Sequence, residues 1–199
     1  MKVSVQVMIE SESGQAPVVE HIACLERANL DPGTLGLTLA EAKGLLARVQ
    51  EAIVIQQVAE YVEQQRVCPD CGKKRSSKGE HELVYRTLFG QLSLPSPRLT
   101  TCACQSLQQR SVSPLAELLP ERTAPELLYL QTKWAALMSY GLTVDLLEEV
   151  LPLQTNAMAV HRHVEQVAER SEQELGEEQF SFIDGCHETG RTCPSPMGR

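Results

Sequence analysis

Valine and isoleucine alternate with polar residues near the start of the chain, at Val3, Val5, Val7 and Ile9. A period of two is typical of a strand with one buried face. Ser13-Gly14 then offers a turn, and residues 18–25 have the character of a second strand. The pattern predicts an N-terminal β-hairpin.

The next segment changes to apolar steps of three and four residues. Asp31-Pro32-Gly33 interrupts the chain, and Thr38 with Glu41 has the spacing of a capping box. We predict a helix from there to about Gln65. It can pack on a core or present a coiled-coil-like partner surface, and its irregular heptad favours the core. Its apolar positions are Leu39, Ala42, Leu46, Val49, Ile53 and Tyr61.

A second alternating run, at Leu83, Tyr85, Thr87 and Phe89, leads to Gly90. This run predicts one strand of a second hairpin, with residues 91–94 as the return strand. Pro95-x-Pro97 is expected to end that strand, because proline cannot donate a hydrogen bond to a β-ladder.

From Ser111 onward the pattern is helical. A capping box at Thr123 and Glu126 predicts a helix that Gly141 can end as a left-handed cap. Its apolar stripe consists of Leu127, Leu130, Trp134, Leu137 and Met138.

Two further helices are expected after Gly141. Thr143 can cap residues 144–151, and Pro152 ends that helix. Thr155 or Asn156 can cap the last one. This order is typical of a helix-turn-helix DNA-binding unit, although a plain helical hairpin has the same pattern.

The elements together predict an α+β chain of 199 residues in four parts. These are an N-terminal hairpin and long helix (1–65), a zinc-ribbon-like module (66–110), a helix-turn-helix-like helical domain (111–178) and a disordered tail (179–199). No apolar stretch approaches the roughly 20 residues of a membrane span. We expect a cytoplasmic protein, in which cysteines are more often metal ligands than disulfides.

Two cysteine pairs flank the second predicted hairpin. Cys68 and Cys71 form a C-x2-C pair, and Cys102 and Cys104 form a C-x-C pair. A hairpin that brings the pairs together would complete a tetrahedral thiolate site for structural Zn²⁺. Gly72 follows the first pair, where a knuckle turn often requires a positive φ.

Other interpretations of these cysteines remain open. Cys-Pro-x-Cys also occurs in redox proteins, where it joins a strand to the start of a helix. Unpaired core thiols are a further alternative. His81 lies in the same module and can replace a thiolate ligand, but a polar surface role is favoured because four cysteines already suffice.

The charge is unevenly distributed. The whole chain carries a formal net charge of −8, whereas residues 66–110 carry +5. Such a local field attracts phosphates, although a solvated basic face gives the same pattern. In this module the candidate DNA contacts are Lys73, Lys74, Arg75 and Lys78. On the third helix of the predicted helix-turn-helix they are Thr155, Asn156, His161, Arg162 and His163, of which Arg162 suits guanine or phosphate and Asn156 suits adenine.

No nucleotide-binding loop, zinc-protease motif or nucleophile elbow is present. Asp184 is the only carboxylate in a strand-like context, and one carboxylate cannot hold the two Mg²⁺ ions of a phosphoryl-transfer site. The residues alone predict no active site.

Six runs of sequence, in this order, resemble the N-terminal region of the ISKra-type insertion-sequence transposases. They are IACLER (22–27), LGLTLAEAK (35–43), CPDCG (68–72), YRTLFG (85–90), SPLAELLPERTAPELLYL (113–130) and ALMSYGLTV (136–144). The resemblance covers about residues 1–185. It implies a protein that binds double-stranded DNA at transposon ends and partners a second copy or a full-length transposase.

The family's ribonuclease-H-like domain, whose acidic triad binds Mg²⁺, would lie beyond this sequence. No residue here matches the triad, so the resemblance places no catalytic role on Asp184. The residues after Cys186 depart from the family pattern, and the segment from Pro152 to Asn156 is abbreviated. We therefore expect a truncated, catalytically inactive, DNA-binding fragment. The alternative is an interaction or regulatory protein that inhibits full-length transposase.

Overall fold

The computed structural model describes residues 1–10, 16–29, 31–104 and 111–188. Strands and helices alternate along the chain, so the described part is a mixed α+β protein. The elements are β1 (Lys2–Ile9), β2 (Val18–Glu26), a 3-10 turn (Pro32–Thr34), α1 (Leu39–Gln65), β3 (Ser77–Thr87), β4 (Gly90–Thr100), β5 (Ser111–Val112), α2 (Pro114–Leu118), α3 (Pro125–Ala135), α4 (Tyr140–Val150) and α5 (Ala157–Glu188).

The N-terminal hairpin and the long helix are confirmed. Strands β1 and β2 pair antiparallel from Lys2 opposite Glu26 to Ile9 opposite Val18. The proposed turn at Ser13-Gly14 lies outside the described residues. Helix α1 begins with the predicted capping box, in which the Glu41 N–H donates to Thr38 Oγ1 over 3.2 Å and Glu41 Oε2 accepts from the Thr38 N–H over 2.9 Å.

The second hairpin is longer than predicted. Strands β3 and β4 pair antiparallel, with Leu83 opposite Leu94, and close through residues 88–89 between Thr87 and Gly90. The expectation that Pro95 and Pro97 end the return strand is wrong, because β4 continues to Thr100. The two prolines are two residues apart, so both missing N–H groups lie on the edge away from β3, where they cost no bond to that strand.

Two apolar clusters hold these elements together. The first joins α1, β3, β4 and α2 through Val58, Val62, Leu83, Leu92, Leu94 and Leu115. The second joins α3, α4 and the segment before α5 through Ala124, Leu127, Leu147 and Leu153. Tyr85 of β3 packs against both clusters. The second hairpin therefore packs between the long helix and the C-terminal helices, and the Lys43 side chain of α1 also donates directly to Glu148 O of α4 over 2.6 Å.

Three predicted helix boundaries in the C-terminal part are wrong. Thr123 is not a cap, since its segment pairs with β3 and the Ala124 N–H donates to Arg86 O over 2.8 Å. Helix α3 begins at Pro125 without a side-chain cap and ends at Ala135, before Leu137 and Met138. Gly141 and Thr143 are internal to α4, which is capped by Ser139.

Local hydrogen bonds explain the shifted start of α4. Ser139 Oγ accepts from the Leu142 N–H over 3.3 Å, and the Thr143 hydroxyl donates to Ser139 O over 3.1 Å. Asn156 does cap α5, since its Oδ1 accepts from the Ala159 N–H over 2.9 Å. Helix α5 continues to Glu188, so the strand-like interpretation of Asp184 is wrong. The predicted tail beyond residue 188 lies outside the described residues.

Candidate metal centre

The first cysteine pair lies in a tight turn just after α1. The Cys68 N–H donates to Lys73 O over 2.9 Å, and the Gly72 N–H donates to Cys68 O over 2.9 Å. Gly72 has a φ of +70°, the left-handed conformation predicted for this position. The Arg75 N–H donates to Arg66 O over 2.7 Å and ties the turn to the end of the helix.

Strand β4 brings the second pair back to the first. The Thr100 N–H donates to Ser76 O over 2.9 Å, so the two chain segments are still paired just before Cys102. The Ser76 N–H donates to Thr100 Oγ1 over 3.2 Å and reinforces the same contact. A strand that stopped at Pro95 would not hold these two segments together.

All four sulfur atoms lie within 4.8 Å of one another. The Sγ–Sγ distance is 3.5 Å between Cys68 and Cys104, 3.3 Å between Cys71 and Cys102 and 3.4 Å between Cys71 and Cys104. A tetrahedral Zn–thiolate site has sulfur atoms roughly 3.8 Å apart, whereas a disulfide bond is about 2.05 Å long. The cluster can therefore hold a metal ion such as zinc, and the one-residue spacing of Cys102 and Cys104 is compatible with it.

Backbone donors favour the thiolate form at two of these positions. Burial raises the pKa of Cys68, but the N–H groups of Cys71 and Asp70 and the thiols of Cys104 and Cys71 outweigh it and bring that pKa down to about 6. The Cys104 N–H lowers the pKa of Cys102. The pKa of Cys104 is raised by the sulfur atoms of Cys102, Cys71 and Cys68. Four thiolates this close repel one another, and a divalent cation relieves that repulsion.

The surroundings do not favour the alternative interpretations. The pair Cys68 and Cys71 follows the C-terminal end of a helix, whereas the redox motif precedes the start of one. Cys68 is only 1% exposed, but Cys71 and Cys104 are exposed and are not core thiols. His81 lies on β3 outside the cluster.

Basic residues surround the cysteine turns. Lys73 and Lys74 are exposed beside the first pair, and Lys74 Nζ lies 3.2 Å from Glu63 Oε1 of α1. Arg75 is half-buried, and Lys78 is exposed at the start of β3. A shallow cleft of about 330 Å³ separates this basic segment from the second cysteine pair. The positive charge predicted for the module is thus adjacent to the cysteine cluster.

The candidate residues at the start of α5 have different surroundings. Asn156 is exposed but uses its side-chain oxygen as the cap of α5. Thr155 is half-buried, its N–H donates to Glu148 Oε1 over 2.9 Å, and its hydroxyl accepts from Gln131 Nε2 over 3.3 Å. Arg162 is exposed. Asn156 and Arg162 are therefore the two most accessible members of this group.

Both histidines make contacts within the chain. His161 Nδ1 lies 3.1 Å from Glu165 Oε2, and its ring meets the Tyr140 ring edge-on at 5.3 Å. His163 Nδ1 lies 2.5 Å from Gln131 Oε1. Burial, followed by the charges of Arg162 and Arg86, lowers the pKa of His163. The lowered pKa favours the neutral form of the His163 ring, which contacts Gln131.

Gln131 and Arg86 were missed at the sequence level. Gln131 is 1% exposed and occupies the buried face of α3 next to Leu127 and Leu128. A polar residue on an apolar helical stripe was the available signal for it. Arg86 lies on β3 and lines the same groove as Arg162, about 680 Å³ in volume. No local pattern connects these two arginines, because 76 positions separate them in the chain.

Within the described residues, the cysteine cluster is the one group of three or more histidine, cysteine or acidic side chains close enough to share a metal ion. None of the described helices has both the length and the apolar character needed to cross a membrane. Comparison with protein-family models, curated proteins and solved structures finds no match to this chain.

Proposed function

We propose that this chain is the DNA-binding part of an insertion-sequence transposase and recognises transposon-end DNA through a zinc ribbon and a helix-turn-helix. One observation carries the proposal. The second hairpin joins a cysteine cluster that has basic neighbours to a unit of three helices. The choice of transposon-end DNA as the ligand comes from the sequence resemblance to ISKra-type transposases.

The zinc ion in this proposal is structural. Its four ligands would be Cys68, Cys71, Cys102 and Cys104, and the closed set leaves no open position for chemistry. A metal at this place clamps the open end of the second hairpin to the end of α1. It thereby fixes Lys73 and Lys74 relative to the rest of the fold.

The C-terminal helices support a helix-turn-helix. Helices α3 and α4 are joined by residues 136–139 and α4 and α5 by residues 151–156, and α5 packs against both of the others. In such units the first residues of the last helix enter the major groove. Arg162 is exposed in that part of α5, and Asn156 is exposed at the cap position just before it. Arg162 suits guanine or a phosphate, and the amide nitrogen of Asn156 remains a donor while its oxygen caps the helix.

Charge affects the strength of binding more than its specificity. The chain as a whole is acidic, at −8, so attraction to DNA must come from the local basic surface. Each phosphate contact releases counterions, which makes affinity fall steeply with salt. We expect weak binding to arbitrary duplexes at physiological salt and stronger binding to the correct sequence.

The test is a fluorescence-anisotropy titration of the zinc-loaded protein. One duplex carries the terminal inverted repeats that flank the coding sequence, and the control duplex has the same base composition in shuffled order. The proposal predicts tighter binding to the repeat, by about tenfold or more. Equal affinities for the two duplexes at physiological salt would contradict it.

A second candidate is an interaction protein that associates with full-length transposase. It is favoured by α1, which buries Ala52, Val58 and Val62 but leaves Leu39, Leu46, Ile53 and Ile55 exposed. A helix that is apolar on several sides is normally covered. Co-purification with full-length transposase in nuclease-treated extracts would support this candidate. Retained association after Ile53→Glu and Ile55→Glu would contradict a role for this helix.

A further inference from the structure

A polar groove separates the turn of the second hairpin from the start of α5. One wall carries Arg86 and Gln91 of the hairpin, and the other carries Asn156 and Arg162. Leu127 and Leu153 contribute apolar surface between them. The volume of about 680 Å³ is far larger than a single phosphate ion requires. The groove therefore suits an extended polar ligand that lies across it.

The charge of the groove is positive. Arg86 and Arg162 are exposed, and neither forms an ion pair within the part of the chain that the structure describes. Glu121 is the one carboxylate among the described lining residues, and it pairs with Arg170. Arg86, Arg162 and His163 all line the groove, and both guanidinium groups lower the pKa of His163.

The interior of the groove is held in place before any ligand arrives. Gln131 is buried, its Oε1 contacts His163 Nδ1 at 2.5 Å, and its Nε2 donates to Thr155 Oγ1 over 3.3 Å. These bonds connect α3 to both ends of the segment that begins α5. Since this network is already satisfied internally, Arg86 and Arg162 are the charged groups of the two walls that can recognise an anionic ligand.

We propose that Arg86 and Arg162 bind the phosphodiester backbone of DNA from the two walls of this groove. The second hairpin and α5 then form one continuous interface with the DNA. This inference rests on the proposed function and adds Arg86 to it. Arginine is suited to the task because its planar guanidinium binds phosphate oxygens in pairs. Because such contacts carry no sequence information, their role is to fix the register of α5 on the duplex.

The test compares Arg86→Gln and Arg162→Gln with Lys2→Gln, which removes one positive charge from the N-terminal hairpin. Anisotropy is measured over a salt series with the repeat and the shuffled duplex. We expect each arginine variant to weaken binding about fivefold to tenfold, and to reduce the slope of log K against log salt by about one. For Arg86→Gln the loss should be equal for both duplexes. Lys2→Gln should match the unaltered protein.

The outcomes separate the two proposals. Absence of preference for the repeat in the unaltered protein contradicts the proposed function. Preference for the repeat together with unchanged affinity and slope in Arg86→Gln overturns the groove assignment alone. A further experiment measures thermal unfolding with added inorganic phosphate. Sodium chloride of matched ionic strength is the control. Saturable thermal stabilisation by phosphate that disappears in Arg86→Gln, together with unchanged DNA affinity in the same variant, would identify a site for free phosphate and overturn the inference.

Discussion

The Sγ atom of Cys71 lies 3.3 Å from the Sγ atom of Cys102, although 31 positions separate the two residues. The contact exists because β3 and β4 stay paired along their length, past Pro95 and Pro97. The geometry of the cysteine cluster therefore depends on the pairing of β3 with β4. A metal ion in the cluster would in turn hold the open end of this hairpin together.

Replacing Cys104 by serine should remove bound zinc. One thiolate fewer lowers the affinity, because a hydroxyl is a poor zinc ligand at neutral pH. Elemental analysis should give about one equivalent of zinc for the unaltered chain and much less for the variant. Cys24→Ser is the matched control, since Cys24 is exposed on β2 outside the cluster. Metal-free protein with a reactive Cys68–Cys71 thiol pair would instead support the redox interpretation.

Two glycine-to-alanine substitutions should have opposite effects. Gly72→Ala forces a side chain into a φ of +70° and should cost about 1–2 kcal/mol of stability, although no atom lies within 4 Å of the new Cβ. Gly44→Ala lies within α1, also meets no atom within 4 Å, and should stabilise by about 0.5–1 kcal/mol. Urea denaturation of the zinc-loaded proteins measures both. An unchanged free energy of unfolding in Gly72→Ala would show that the turn can relax.

The ionisation of Glu41 should make the stability of the folded protein depend on pH in the acid range. The side chain of Arg27 and the N–H of Thr38 lower the pKa of Glu41 to about 2. Because the folded-state pKa lies below the unfolded value of about 4.3, the stabilisation is complete above that value and is lost as the pH falls through about 2.

Thermal unfolding of Glu41→Gln measures this contribution. The variant should have a lower Tm than the unaltered protein at pH 7, and the difference should shrink as the pH falls below 4.3. Glu51→Gln on the exposed side of α1 serves as the control and should unfold like the unaltered protein. A Tm difference that stays constant down to pH 2 would contradict the assignment.

His163 should resist protonation in the folded state. Burial and the charges of Arg162 and Arg86 lower its pKa, and Glu121 opposes them weakly. The unfolded chain then binds more protons below about pH 6.5, so stability should decrease as the pH falls from there through the folded-state pKa. NMR titration of the His163 ring gives that pKa directly. His163→Gln should weaken the decrease, and a ring that titrates at or above 6.5 would contradict the expectation.

The periodicity of the chain was sufficient to predict the first hairpin, the capping box of α1 and the α+β class. Local signals failed where tertiary pairing competed with them. Thr123 has the spacing of a helix cap, but its segment pairs with β3 at Arg86, and α3 begins one residue later than predicted, with Ala124 as its N-cap residue. Pro95 and Pro97 look like strand terminators, but they fall on the edge of β4 that β3 does not use.

The residues that can form the metal site were identifiable from the sequence, because the chemistry of thiolates and the two short spacings are local properties. The place where the positive charge is concentrated was also identifiable from the sequence. The contact among the four sulfur atoms, the contact of His163 with Gln131 and the shared groove of Arg86 and Arg162 became visible with the packed fold. These relationships join residues from separate elements, and their distances follow from the two apolar clusters and from the antiparallel pairing of β3 with β4. No spacing along the chain encodes such distances, since they result from the whole core forming at once.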